Sequence, residues 1–452
     1  MNQPKSFPEE LYSPHLEQVL AEHREAMEKE GVDLLVIGSG GSEVLHYDDD
    51  HGPSTPVAPN FVRLVPTKEK PNNHVVVVGT DGKPTLLFHS PMGNFWQKPA
   101  TPPDNLNEAF DVREVPDLRA LDEEVTRISV GRKVAHIGPR GPKDRDPEKL
   151  KARLEWARRF KTPFEIACIA EASRTAALGH IAAKDAFLAG GSELDMHLAF
   201  LGAAGATDDR MAFPSIVSLD ADTAWLHRPE KDPGHSNGGR ALIDAGTRFR
   251  GYNSDITTTW VREGAGVHAV YTRLLLGLEG IQKNLCTAIR PGVDFIGLHE
   301  KAHLEIAKLL LETGILKNCS PEEAVEKRFT TAFLPHGLGH PLGIQTHDKG
   351  GKQEAPEGGM LKPPSGDGED PLYDWLRKLS PLAEREVVTI EPGIYFFQAL
   401  LARFRTGEHS SNFDWPLIDQ LDGGMRLESN VLVLANGFRD MTAEVLERKT
   451  NV

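Results

Sequence analysis

Cysteine is scarce: the 452 residues hold three, Cys168, Cys286 and Cys319, and no CxxC pair. Three thiols cannot build a disulfide framework, and such sparing use suits a reducing compartment. No run of eighteen apolar residues occurs, so no membrane-spanning helix is expected. The leading MNQPKSFPEELYSP has no basic segment followed by an apolar one. No signal peptide is therefore expected, and the cytoplasm is the expected address. Positive charge is also short, with 51 Lys and Arg against 66 Asp and Glu, a net charge of −15. That balance lacks the footprint for gripping a phosphate backbone and disfavours an anionic membrane surface. Neither nucleic acid nor membrane is expected as a partner. What is present, 39% apolar and 26% charged residues, is the composition of a soluble globular chain long enough for more than one domain.

Residues 1–160 alternate helical and strand signals. The stretch 14–30 has helical patterning, and DLLVIGS (33–39) reads as a short buried strand. HVVVVG (74–79) and PTLLFH (84–89) form two strands around the turn Thr80-Asp81-Gly82-Lys83, and KVAHIG (133–138) a further one. This is a mixed α/β domain. A boundary falls near residue 160, where Thr162 as N-cap, Pro163 at N1 and Glu165 at N3 start a helix. Another start is Gly190-Gly191-Ser192-Glu193. Val270, Leu274, Leu278, Ile281 and Leu285 keep helical spacing up to Pro291-Gly292, and Asp294 caps a helix ending near Gly314. Interleaved are the strand segments 241–246, 255–260, 386–396 and 424–434. Helices grouped with mostly antiparallel strands make residues 161–452 an α+β domain. Residues 350–371, rich in Gly, Pro and charge, are expected to form a surface loop.

Four segments of the second domain carry polar residues where strands should be apolar. Asp244 and Asp255 bracket a hairpin. A turn centred between Phe249 and Arg250 sets the two opposite each other, where unpaired carboxylates repel and a metal ion removes the conflict. PHGLGHPLGIQTHD carries His336, His340 and His347 among glycines that disfavour a regular helix. Glu391 ends an apolar strand before Pro392-Gly393. Arg426 and Glu428 alternate with Met425 and Leu427 and so share a strand face. Two Asp, two Glu and one His form a hard, oxygen-rich donor set suited to Mn²⁺, Co²⁺ or Zn²⁺. Four carboxylates exceed the need of one ion and match two, held about 3.5–4 Å apart.

NSDITTTW, PHGLGHPLGIQTHD, TIEPGIYF and GGMRLESNVLV resemble the metal-ligand segments of the pita-bread metallopeptidases (creatinase/aminopeptidase-like). Within that group the chain is most similar, over nearly its whole length, to the bacterial Xaa-Pro dipeptidases, or prolidases. That subgroup includes the organophosphorus acid anhydrolases. The resemblance implies an N-terminal α/β domain and a C-terminal pita-bread domain. It implies two divalent ions, foremost Mn²⁺, on Asp244, Asp255, His340, Glu391 and Glu428. His347 matches the histidine that contacts the substrate carbonyl, and His227 and His336 match pocket-lining residues. Arg377 matches the arginine that holds the proline carboxylate, Arg426 one beside the ligands, and Asp49 falls in an Asp-Asp-His segment of the substrate site. The implied reaction is hydrolysis of the Xaa–Pro bond of dipeptides by a hydroxide bridging the two ions. Glu391 shuttles the proton, and phosphotriesters are a side substrate. A homodimer is also implied, in which an N-terminal loop reaches the partner's site.

The chain departs from this pattern at Gly52-Pro53-Ser54-Thr55, at Phe213-Pro214 and at 382–386, away from the ligands. The first two lie in pocket-shaping segments. Alternatives are an Xaa-Pro aminopeptidase or a specialised organophosphorus hydrolase of the same fold. A further one, of another class, is a pita-bread binding protein without catalysis, which the complete ligand set disfavours. His299-Glu300-Lys301-Ala302-His303 matches the zinc-protease HExxH motif but has no third ligand at the usual spacing. Leu298, Ala302, Ile306 and Leu309 make that helix's buried stripe, so both histidines are expected to flank the core and bind nothing.

Overall fold

In the amino-terminal region the runs LLVIG and VVVVG alternate two buried faces, and each face finds its own cover. The computed structural model describes residues 7–41, 57–66, 72–90, 104–138, 147–264, 266–366 and 368–450. Helix α1 (Tyr12–Glu30) is followed by β1 (Leu34–Gly38), α2 (Pro59–Leu64), β2 (Val75–Gly79), β3 (Thr85–His89), α3 (Asp104–Ala109), β4 (Asp111–Val115), α4 (Leu118–Ser129), β5 (Val134–Ile137) and α5 (Glu148–Ala157). The strands form one mixed sheet in the order β4-β3-β2-β1-β5. Leu35, Ile37, Val76 and Val78 face Leu16, Val19, Met27, Leu150 and Leu154 of α1 and α5. Their neighbours Leu34, Val36, Val75 and Val77 face the other way, with Leu121 of α4. Alternation along each strand thus supplies both cores.

The next elements are α6 (Pro163–Leu188), α7 (Glu193–Ala204), β6 (Ile216–Leu219), β7 (Arg240–Asp244), β8 (Arg248–Phe249), β9 (Tyr252–Asn253) and β10 (Thr257–Val261). Then come α8 (Val267–Thr287), α9 (Phe295–Glu312), α10 (Pro321–Glu326), β11 (Gln353–Ala355), β12 (Gly358–Met360), β13 (Val387–Ile390) and β14 (Gly393–Tyr395). The chain ends with α11 (Gln398–Arg405), α12 (Trp415–Ile418), β15 (Gly424–Arg426), β16 (Ser429–Leu434), β17 (Gly437–Asp440) and α13 (Ala443–Thr450). Thr162 and Glu165 cap α6 reciprocally, Thr162 N–H donating to the Glu165 carboxylate at 2.8 Å. Ser192 caps α7 and Asp294 caps α9. Sheets β10-β7-β6 and β13-β16-β17 are antiparallel, and helices α8 and α9 cover the second through Leu278, Leu285, Leu298 and Ile306. Contacts divide the chain into two units. One comprises Met1–Arg158, Thr162–Ala167 and Glu354–Gly359, the other Arg159–Lys161, Cys168–Gln353 and Met360–Val452.

Two expectations change. The 350–371 stretch is not wholly loop, because β11 and β12 pair within it. The hairpin after Asp244 also turns one residue later than expected. Arg250 and Gly251 both take positive φ, 51° and 87°, the requirement of a two-residue turn that matches strand twist. β8 pairs Phe249 with Tyr252, and Asp244 therefore stands opposite Thr257, not Asp255. The shift is two residues in register, so Asp255 stays on the face of Asp244.

Buried histidines make the fold acid-sensitive. His23 of α1 is 1% exposed, and burial lowers its pKa from 6.5 to about 4. Its Nδ1 bonds the Val19 carbonyl. As pH falls through 6.5 the unfolded chain takes a proton that the folded chain refuses until about pH 4. The contribution is therefore complete above 6.5 and lost below it. Between pH 8 and pH 5 the wild type should lose about 2 kcal/mol more stability than His23→Leu, measured by urea unfolding. Equal losses would contradict this.

Candidate metal centre

Strand β7 and the residues leading into β10 bring Asp244 and Asp255 into side-chain contact, each withdrawn from solvent. Asp255, Thr257 and Thr259 point to one face by strand alternation. Glu428 arrives through its backbone N–H, which donates to the Thr257 carbonyl at 2.9 Å. Glu391 follows β13 directly, its N–H bonded to the Leu338 carbonyl at 2.8 Å. His340 is fixed from both sides by Thr389, whose Oγ1 accepts the His340 N–H at 3.1 Å and whose N–H donates to the His340 carbonyl at 2.9 Å. Only glycine fits at 339, because a Cβ there would sit 2.0 Å from the Thr389 carbonyl oxygen. As expected, the 335–348 segment is irregular, with one bridge from Pro341 to Val388.

Five expected ligands thus converge. His340 Nε2 lies 3.3 Å from Asp255, 3.7 Å from Glu428 and 3.9 Å from Glu391. Donor atoms of Asp255, His340 and Glu428 all fall within 4.8 Å of one another. The His340 Nδ1 is 3.0 Å from the Pro341 carbonyl, which can only accept, so Nδ1 carries the hydrogen. Burial lowers the ring's pKa and keeps it neutral, which leaves a lone pair on Nε2 aimed at three carboxylates. Asp244 Oδ1, Asp255 Oδ1 and Glu428 Oε1 are buried without a hydrogen-bond partner. Burial raises the pKa of all four carboxyl groups. Asp255 and Glu428 go well above the carboxylate range, pushed further by their acidic neighbours. Lone pairs facing lone pairs must share either protons or a cation, and hard oxygen donors with one imidazole suit a divalent ion.

Around the cluster, Arg426 pairs with the Asp244 carboxylate and donates to Thr257 Oγ1 at 3.0 Å and to Tyr395 Oη at 2.9 Å. Thr257 Oγ1 in turn donates to Glu428 Oε2 at 2.9 Å. His336 donates from Nδ1 to the Gly337 carbonyl at 2.9 Å and accepts from Tyr395 Oη at 3.0 Å. Arg426 and Glu428 therefore do work on one face, although β15 ends between them. Thr257 and Tyr395 were not singled out from sequence. Both left a signal: a polar residue two positions on and in step with Asp255, and a buried tyrosine whose hydroxyl must find a partner. His347 lies edge-on to His340, ring centroids 4.4 Å apart. Burial, more than any neighbouring charge, holds its pKa down at about 3, while Arg377 and His227 are both exposed. Asp49 lies outside the described residues.

His299 and His303 are elsewhere engaged. His299 Nε2 donates to the Leu372 carbonyl at 2.6 Å, and His303 Nδ1 shares a hydrogen bond with Thr330 Oγ1 at 2.9 Å. Both are buried in the core itself. Among the described residues, Asp255, His340 and Glu428 form the one group with metal-ligand proximity.

The chain belongs to metallopeptidase family M24, whose model matches residues 167–435. Residues 10–154 match the N-terminal domain of Xaa-Pro dipeptidases. It is 33% identical over 445 residues to a Xaa-Pro dipeptidase of Pseudoalteromonas atlantica, covering 96% of this chain and 98% of the relative. A Xaa-Pro dipeptidase of Yersinia pestis is 36% identical over 451 residues, with the same coverage. Among solved structures, proline aminopeptidase P II from Yersinia pestis superposes with a TM-score of 0.71 at 20% identity over 95% of this chain and 96% of that one. Aminopeptidase P from E. coli with the inhibitor Pro-Leu gives 0.71 at 18% identity over 95% of each. These structures share the pita-bread fold. The protein is thus an enzyme of the metallopeptidase class, a hydrolase dependent on divalent metal.

The donor geometry predicts that Mn²⁺ raises the melting temperature of the wild type, equivalent to about 2.7 kcal/mol at a hundredfold excess over Kd. Asp255→Asn and Glu428→Gln should lose most of that rise while melting no lower than wild type without metal. Differential scanning fluorimetry with and without metal checks it; an undiminished rise in either variant would contradict it.

Proposed function

We propose that the chain is an Xaa-Pro dipeptidase, hydrolysing dipeptides that end in proline, with residues 161–452 as its catalytic domain. The observation that carries this reading is the lone-pair-crowded acidic cluster, to which the resemblance adds Arg377 as the guanidinium for the proline carboxylate. Full-length relatives named Xaa-Pro dipeptidase support it. Asp244, Asp255, His340, Glu391 and Glu428 are assigned to hold two divalent ions, Mn²⁺ foremost. Bound there, such ions would supply Lewis acidity and would lower the pKa of water so that hydroxide serves as the proposed nucleophile at neutral pH.

The chain's own residues do the remainder. Arg377, exposed beside the site, offers two parallel N–H donors to the free carboxylate of the substrate's proline. A longer peptide presents an uncharged amide there, so this contact measures substrate length. His347, neutral, donates to the scissile carbonyl as negative charge grows on its oxygen. His227 and His336 line the space for the substrate, and Asp49 is assigned to it on resemblance alone. Arg426 orients Asp244 and, through Thr257, Glu428. The leaving proline nitrogen carries no hydrogen in the peptide and must gain one as the bond breaks. Glu391, 3.8 Å from His336 and 3.9 Å from His340, is the residue assigned to carry it. Phosphotriesters, whose tetrahedral centre offers a similar oxygen to these donors, are proposed as side substrates. No described helix is long and apolar enough to cross a membrane. The cytoplasm and a homodimer complete the proposal.

With Mn²⁺ added, Ala-Pro and Leu-Pro should turn over at least tenfold faster than Ala-Pro-Gly; faster tripeptide cleavage would overturn the dipeptidase reading. Arg377→Ala should lower kcat/KM on Ala-Pro by about ten- to a hundredfold, the range for a lost charge-assisted hydrogen bond. An unchanged value would remove its assignment.

A further inference from the structure

Five charged side chains of the second unit lie together away from solvent. They are Arg159, Lys161, Asp348, Lys378 and Glu386, each exposed by 9% or less. Lys161 Nζ pairs with Asp348 Oδ2 at 2.9 Å. Glu386 is held by the Arg159 guanidinium, by Lys378 Nζ at 3.0 Å and by the Ala383 N–H at 2.8 Å. Lys378 also donates to Ser380 Oγ at 3.1 Å, and Arg159 to the Pro381 carbonyl at 2.7 Å. Stability alone gives little reason for such a cluster, since apolar side chains of similar volume commonly serve a core as well as buried ion pairs do.

Its position in the chain supplies a reason. Asp348 directly follows His347, and Lys378 directly follows Arg377. Each recognition side chain is thus one residue from a buried charge held in a fixed pair. The two segments are also joined by backbone. The Gly351 carbonyl accepts the amides of Leu379 at 2.8 Å and Ser380 at 3.1 Å. Glycine is needed at 351, because a Cβ would stand 2.4 Å from the Arg377 carbonyl oxygen. An apolar contact tolerates sliding; charge-assisted hydrogen bonds fix distance and direction.

We propose that this buried ion cluster is a positioning device that sets the spacing between His347 and Arg377, and so enforces a free carboxylate directly after the cleaved bond. Lys161–Asp348 anchors the His347 segment, and Lys378–Glu386–Arg159 anchors the Arg377 segment. None of the five touches the substrate; they act through the two residues that do. The inference rests on the dipeptidase reading above and adds the origin of its length selectivity.

The test compares Ala-Pro with Ala-Pro amide, which lacks the carboxylate, in the Mn²⁺-loaded full-length enzyme. The variants are Lys378→Met and Glu386→Gln. In Lys378→Met, Glu386 keeps Arg159 and the Ala383 amide, so its charge stays paired. Glu386→Gln breaks the same pair from the other side. The wild type should prefer Ala-Pro at least tenfold. Each variant should lose tenfold or more of that preference through a rise in KM for Ala-Pro, with kcat within threefold of wild type. Preference and KM retained in a folded variant would overturn the proposal. So would an equal loss on both peptides through kcat, which marks a merely structural role. A wild type that does not distinguish the two peptides removes the dipeptidase reading itself, and this inference with it.

Discussion

The structure turns on a crowd of lone pairs that meets positive charge at one carboxylate only, Asp244, where Arg426 pairs with it. A neutral imidazole, its hydrogen committed to a backbone carbonyl, points its free nitrogen at three carboxylates, and a fourth, Asp244, touches Asp255. Burial and mutual repulsion drive the acids toward protonation. Of the four carboxylates, Arg426 reaches only Asp244 directly. A protein would not hold this arrangement at neutral pH for stability; it holds it for a cation that completes it.

Everything near the cluster serves to keep those lone pairs aimed. Two antiparallel pairings deliver them, β7 with β10 and β13 with β16, and single bridges from Thr257 to Glu428 and from Pro341 to Val388 bind the irregular segments to those strands. Thr257 illustrates the economy of the design: one hydroxyl accepts from Arg426 and donates to Glu428, so a misplaced arginine would misplace a carboxylate. A step further out, the Lys161–Asp348 and Lys378–Glu386 pairs stand behind His347 and Arg377. The same physics recurs in both layers, with burial making each polar contact directional and hard to replace.

Much of this was legible in the sequence because it follows from periodicity and local chemistry. The caps at Thr162 and Asp294, the helix start at Gly190-Gly191-Ser192-Glu193 and the buried stripe of α8 depend on neighbours a few residues away. The shared face of Asp244 and Asp255 was legible for a similar reason. An error of two in register leaves alternation intact, whereas the turn itself depended on Arg250 accepting a positive φ, for which its identity gives no cue. The choice of His340 over His336 and His347 came from resemblance, not from spacing. The buried ion cluster was not legible at all. Lys161, Lys378 and Glu386 look in sequence like solvated surface residues, and only the fold removes them from water. The 382–386 turn was noted as a departure from a familiar pattern, but nothing local said that Glu386 would receive Lys378 and Arg159.

The most direct test of the central claim is a crystal of the Mn²⁺-soaked protein, with data collected for anomalous scattering at the manganese edge. The account predicts two peaks per chain, about 3.5–4 Å apart, each in bonding contact with side chains drawn from Asp244, Asp255, His340, Glu391 and Glu428. Manganese bound at other residues, or a cluster that stays metal-free at saturating Mn²⁺ with its carboxylates sharing protons, would contradict it.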